Sequence, residues 1–283
     1  AMNNNSLHWY LRMAPKQWIK LVVYTLLLVN FGHYLLNDLE QTRHTYHSGW
    51  QWHDWTASFA TSLDELAWFL LLFLLELETY LLSDDAFTRA RVMWMNILRV
   101  VCYLAIAHTV IAFSDYLVDL MRAPHYTGTT LCEFANQGLS FTRNLVYWEL
   151  DARNCASLSA DTQFYIFSQG QAISDAVGMQ IEMELAWADV IEVIAWLLIL
   201  LMIELQIKLQ DRGFSNGAML FWARNVKRLF YVLLWLIAAY WAYRGHWIFT
   251  WDEAMWILGF MAIGMNLSDW RQEIVETQIA RSP

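Results

Sequence analysis

Three glutamates set the chemical question. Glu76 and Glu78 lie in one apolar run and Glu204 in another, surrounded by leucine, isoleucine and methionine. An acidic side chain at the centre of a membrane helix costs about 2.5–3.5 kcal/mol on insertion scales, so each needs a partner, a proton or water. The chemistry on offer is proton or small-cation binding by carboxylates and amides grouped at one level.

Glu76 and Glu78 stand eight and ten residues beyond Trp68, and Glu204 and Gln206 stand at the same offsets from Trp196. Gly264 and Asn266 repeat the spacing after Trp256. Helix positions two apart point about 200° apart. Glu78, Gln206 and Asn266 would therefore share one face, and Glu76, Glu204 and Gly264 the other. A structural explanation competes: Lys20, Arg99 and Lys227 lie near the same level and would pair with the carboxylates. His108, in a neighbouring run, would extend the glutamates into a proton relay, because histidine titrates near neutral pH.

A second acidic set surrounds the outer end of each even-numbered run. Asp64 and Glu65, then Glu192, then Asp252 and Glu253 predict an acidic outer rim that would concentrate cations. The segment Arg43–Trp55 carries His44, His47 and His53 with Asp54, candidates for holding a transition metal. Against that, Trp50, Trp52 and Trp55 in the same segment read as an interfacial anchor. No other cofactor is indicated. There is no nucleotide-binding glycine loop, GxSxG, HExxH or paired CxxC, so nothing assembles an enzyme site.

The elements that must position these residues follow from composition. Of 283 residues, 58% are hydrophobic and only 16% charged, against about 25% charged in a soluble domain. A net charge of −9 has the wrong sign for a nucleic-acid binder. Six apolar runs, at roughly 18–36, 66–82, 97–118, 190–208, 227–244 and 252–268, have the length of bilayer spans. The first lacks a small-residue cleavage site and reads as a span rather than a signal peptide. The sequence thus predicts an all-α, single-domain polytopic membrane protein. Its six helices form three related two-helix hairpins (about 17–84, 92–210 and 222–272), with a partly helical outer insertion at about 119–188. Within that insertion, Ser159–Ala188 has helical spacing and no proline, so a helix is expected to run from there into the fourth span.

Orientation follows from lysine and arginine. With the N-terminus in the cytoplasm, thirteen fall inside and five outside, and both termini are cytoplasmic. A bacterial-type inner membrane is the expected location. On that frame the net charge divides into −13 outside, +7 inside and −3 on the three intramembrane glutamates. Cys132 and Cys155 fall together in the outer insertion and predict one disulfide.

The functional expectation is movement of protons or small cations, with the lipid bilayer as the constant partner and a ring of identical subunits as one way to make a pore. The alternative is a non-transporting membrane subunit or sensor whose outer region binds a partner or metal.

Overall fold

The computed structural model describes residues 15–77, 88–211 and 217–260. Most of them are helical. Helix α1 runs over Pro15–Thr45. A short helix α2, Trp52–Ser58, is boxed at its start by the Gln51 N–H donating to Asp54 Oδ2 at 2.7 Å. Helix α3, Ala60–Glu76, follows after a 70° bend. Then come α4, Arg89–Met121, and α6, Ala176–Asp211, with a small outer layer between them that contains α5, Cys155–Leu158. Helix α7, Ala218–Tyr243, and a last helix α8 over 247–260 complete the described chain.

Three helices are long and apolar enough to cross a membrane, over Arg89–Met121, Ala176–Gln206 and Ala218–Tyr243. Taken as one broken span, α2 with α3 makes a fourth. Their outward faces are apolar: Val100, Leu104 and Ile111 on α4, and Leu229, Val232 and Leu236 on α7, are all exposed. Only lipid or another apolar surface matches such faces.

The expected all-α fold needs correction in the insertion at about 119–188, which contains a five-stranded sheet. Strands β1 (His125–Thr127), β2 (Ser140–Arg143), β3 (Val146–Glu149), β4 (Gln163–Phe167) and β5 (Ala172–Asp175) lie in the order β1-β4-β5-β2-β3. Only the β2–β5 pair is parallel. The helix expected from Ser159 starts instead at Ala176. The QFYIF run of β4 is aromatic and branched, which favours strand. The turn at Ser168–Gly170 then reverses the chain, with Ser168 at φ 51 and Gly170 at φ 87. Asp175 ends β5 and starts α6 by accepting the Gly178 N–H at 2.7 Å, an N-cap bond. From there the helix does continue unbroken into the fourth apolar run.

The Cys132–Cys155 disulfide forms as expected, with Cα atoms 4.9 Å apart, and ties a 3-10 turn (Leu131–Phe134) to α5. It staples a small core of Leu131, Phe134, Phe141, Phe164 and Ile173. A second cluster, including Leu117, Leu120, Phe167, Met179 and Val190, joins the outer end of α4 to the sheet and α6.

The chain divides into two compact units. One comprises residues 31–223: α3 packs on α4, α4 on α6, and the outer part of α6 on β2, β4 and β5. The other holds the start of α1 with residues 224 onward. In it, Trp241 packs edge-on to His246 and Phe249, and the Thr250 hydroxyl donates to the Ala238 carbonyl at 3.2 Å.

Candidate functional site

Buried carboxylates occur on α1, α3 and α6 in the larger unit. Asp38, near the end of α1, is 5% exposed and accepts the Ser62 N–H at 3.0 Å and the Ser62 hydroxyl at 2.6 Å. Burial pushes its carboxyl up to about 6, partly opposed by those two bonds. Two residues further along α3, Asp64 accepts the Trp68 indole N–H at 3.0 Å, and Glu65 is buried. The Trp68 ring meets Trp196 of α6 at 5.5 Å, so two residues at matching places in the sequence pattern touch.

Glu182 of α6 is 0% exposed. Its Oε1 accepts the Leu145 N–H at 3.0 Å and the Thr142 hydroxyl at 3.4 Å, and the Asn144 N–H also donates to the carboxylate. Its Oε2 is sealed from solvent with no hydrogen-bond partner. Two turns on, Asp189 has Glu192 and Glu182 as its charged neighbours. Tyrosines close the group: Tyr116 of α4 faces Tyr147, Glu182 and Asp189. The Tyr147 hydroxyl accepts from Gln41 at 3.2 Å. His44 stacks on the Tyr147 ring at 5.6 Å, with its Nδ1 2.9 Å from the Ser140 hydroxyl. The sheet, α1, α4 and α6 thus meet at one polar junction.

The start of α6 belongs to this junction: Glu182 accepts from the β2–β3 turn, and Met179 and Ala186 pack with Phe167 of β4 and Ala172 of β5, ahead of the apolar run beginning at Val190. Burial pushes the Glu182 carboxyl up to about 7, against the hydrogen bonds from Leu145, Thr142 and Asn144. Desolvation wins because only one oxygen is solvated by donors.

The sequence-predicted residues distribute as follows. Glu76 closes α3, while Glu78 and Asn266 lie outside the described residues. Glu204 Oε1 accepts the Tyr103 hydroxyl of α4 at 3.1 Å, and Lys208 Nζ lies 3.5 Å from Oε2. At Glu204 the contacts are thus a tyrosine of the facing helix and a lysine one turn away on α6. Gln206 is half-buried on α6. His108 packs edge-on to His53 at 5.9 Å, and its Nε2 is sealed without a partner. His53 in turn lies 3.7 Å from Asp115.

The outer histidines do not assemble as a metal set. His44 faces Ser140 and Tyr147, His47 faces Trp50, and His53 turns to α4. Asp54 is committed to the α2 cap. Among the described residues, no three of His, Cys, Asp and Glu converge as metal ligands. The loop tryptophans do cluster, with Trp50 against both Trp55 and Tyr46. Of the predicted acidic rim, Glu65 is 7% exposed and, in the smaller unit, Asp252 and Glu253 are 5% and 3%, while Asp64 and Glu192 are half-buried.

Sequence reasoning missed Asp38, Glu182, Tyr116 and Tyr147. Glu182 had a legible signal: it falls seven residues before Asp189, on the helical stripe that continues through Val193 and Trp196 to Ile199. Those three apolar positions are buried, so the stripe is the packed face. The others depend on long-range contacts that no local pattern encodes.

The chain matches no family, no curated protein and no solved structure.

Proposed function

We propose that this chain is a six-span inner-membrane protein, built from three related hairpins, that moves protons or small cations. Helices α1 and α8 supply the first and last spans, and both termini face the cytoplasm. One observation carries the reading. Asp189 sits at the outer mouth of the α6 span with other carboxylates, Glu192 and Glu182, as its charged neighbours. Acidic groups that close hold protons or attract cations, since like charges disfavour joint ionisation. Glu204 lies at the inner end of the same apolar run, held by Tyr103 and Lys208. Intramembrane Glu76 and Glu78 belong to the same scheme.

Flux in proteoliposomes tests this. Asp189→Asn and Glu204→Gln should each lower proton or cation flux by about tenfold, the scale of one lost charge-assisted contact. Unchanged flux in both, and in Glu76→Gln and Glu78→Gln, would sink the reading.

A second reading is favoured by the outer layer itself. A disulfide-stapled sheet is more structure than a span connection needs. On this reading the chain is a membrane subunit or sensor whose sheet binds another protein. It predicts no flux, and a specific partner lost on deletion of 124–174.

A further inference from the structure

The Glu182 site has a chemistry that neither flux nor partner binding uses. Its two oxygens are unequal. Oε1 takes the donors from Leu145 and Thr142, while Oε2 is buried with none. A neutral carboxylic acid suits that division: Oε1 stays a carbonyl acceptor and the proton occupies Oε2. The carboxylate does not suit it, because half of its charge would face an unsolvated interior.

The turn that supplies the donors is held in an uncommon conformation. Asn144 and Leu145 both have positive φ, 58° and 60°, as a two-residue hairpin of this twist requires. Asparagine tolerates that region and leucine does not. The β2–β3 turn thus stays in place where its amides meet Glu182, and it connects the sheet to α6. The other ionisable groups facing the site are Tyr116 from α4, Tyr147 from β3 and Asp189 from α6 itself. From α1, His44 reaches Tyr147 and not the carboxylate. From β2, the Arg143 guanidinium is engaged with Asp175 of β5.

We propose that Glu182 is a proton-binding site whose proton keeps the outer sheet docked on α6, and whose loss at alkaline outer pH loosens that docking. The step is a simple ionisation, with the proton passing from Oε2 to water. It rests on sheet packing and holds whether or not the chain conducts. The direction follows from linkage. A carboxyl raised to about 7 contributes stability that is complete below its ordinary value and lost as pH climbs through about 7. Burial pushes the Tyr147 hydroxyl far above that range, so it stays neutral there.

Hydrogen–deuterium exchange of the intact chain in nanodiscs tests the proposal. Protection of amides 140–149, corrected for intrinsic rate, should fall about tenfold between roughly pH 6 and 8.5 in the wild type. Glu182→Gln, which keeps the acceptor and cannot ionise, should give a flat profile. Glu182→Asp keeps the acid but withdraws it from the turn amides, so its midpoint should move. A flat wild-type profile overturns the proposal even if Glu182→Gln does not fold. A pH-dependent Glu182→Gln, or an unmoved midpoint in Glu182→Asp, assigns the transition to another group and overturns it equally. Proton flux, measured on the same samples, reports on the transport reading alone.

Discussion

Asp38 shows how a single buried acid can set pH dependence without any partner charge. Its folded carboxyl sits near 6 rather than 3.8. A proton bound more tightly by the folded state stabilises fully below about 3.8 and progressively less as pH rises through about 6. A rise from 3.8 to about 6 corresponds to about 3 kcal/mol, an upper figure for a site that can relax. Asp38→Asn keeps an oxygen for both Ser62 donors and removes the charge. Thermal unfolding in detergent should show the variant more stable than wild type at about pH 7.5, by roughly 1–2 kcal/mol, and equal to it near pH 4. Parallel pH profiles would place the titration elsewhere.

Gly178 makes a steric counterpart. A Cβ there would collide with Ser174 Oγ, and would crowd Asp175 Oδ1 at 3.2 Å and the Thr142 carbonyl at 3.3 Å. Ser174 cannot turn away freely, because its hydroxyl donates to that same carbonyl at 2.6 Å. Alanine gains about 1 kcal/mol of helix propensity over glycine. Overpacking costs about 1–3 kcal/mol, and here it also disturbs the Asp175 cap. Gly178→Ala should therefore lower the unfolding temperature, and adding Ser174→Ala should recover part of the loss. Stabilisation by Gly178→Ala alone would show that the helix start has room.

At the scale of elements, what could be read from sequence depended on how local the cause was. The apolar runs declare themselves within twenty residues, and α4, α6 and α7 appear where the runs lie. The Cys132–Cys155 pair was legible because two outer cysteines have few alternatives. The sheet was not legible. Its parallel β2–β5 pair joins Phe141 to Ile173 across thirty-one intervening residues, and strands of three to five residues leave too little alternation to outweigh a proline-free helical spacing. The carboxylate site was legible only in part, through the place of Glu182 on the buried stripe of α6. Glu204 stood out because its neighbours in sequence are apolar, whereas Glu182 is buried by β2 and its turn, distant in the chain. That turn carries its own prediction. Replacing Leu145 by asparagine, which tolerates positive φ, should stabilise the protein by about 0.5–1 kcal/mol. Leu145→Ile, branched at Cβ, should destabilise it by more, both read from chemical denaturation. Equal effects would mean the turn is not constrained.

At the scale of the whole molecule, length and charge together support the proposed topology. Helix α6 has 36 residues, about 54 Å at 1.5 Å per residue, against a hydrocarbon core of about 30 Å. The excess lies at its N-terminal end, where Met179 and Ala186 pack on the sheet and Glu182 meets its β2–β3 turn, beside the Cys132–Cys155 disulfide. An open-edged sheet does not enter lipid, and the disulfide beside it persists in an oxidising compartment. Lysine and arginine concentrate at the opposite ends of the spans. Helix α4 offers the cleanest test, because one rigid element presents exposed residues at both ends, Ala90 and Arg122. The chain's remaining cysteine, Cys102, is 1% exposed and should react little. In intact cells an impermeant maleimide should label Arg122→Cys, and should label Ala90→Cys only after permeabilisation, with a contrast of about tenfold or more expected from a sealed bilayer. Equal labelling would show that α4 does not cross the membrane. Inverted labelling would place the sheet in the reducing compartment, and both the disulfide and a Glu182 responding to outer pH would lose their setting.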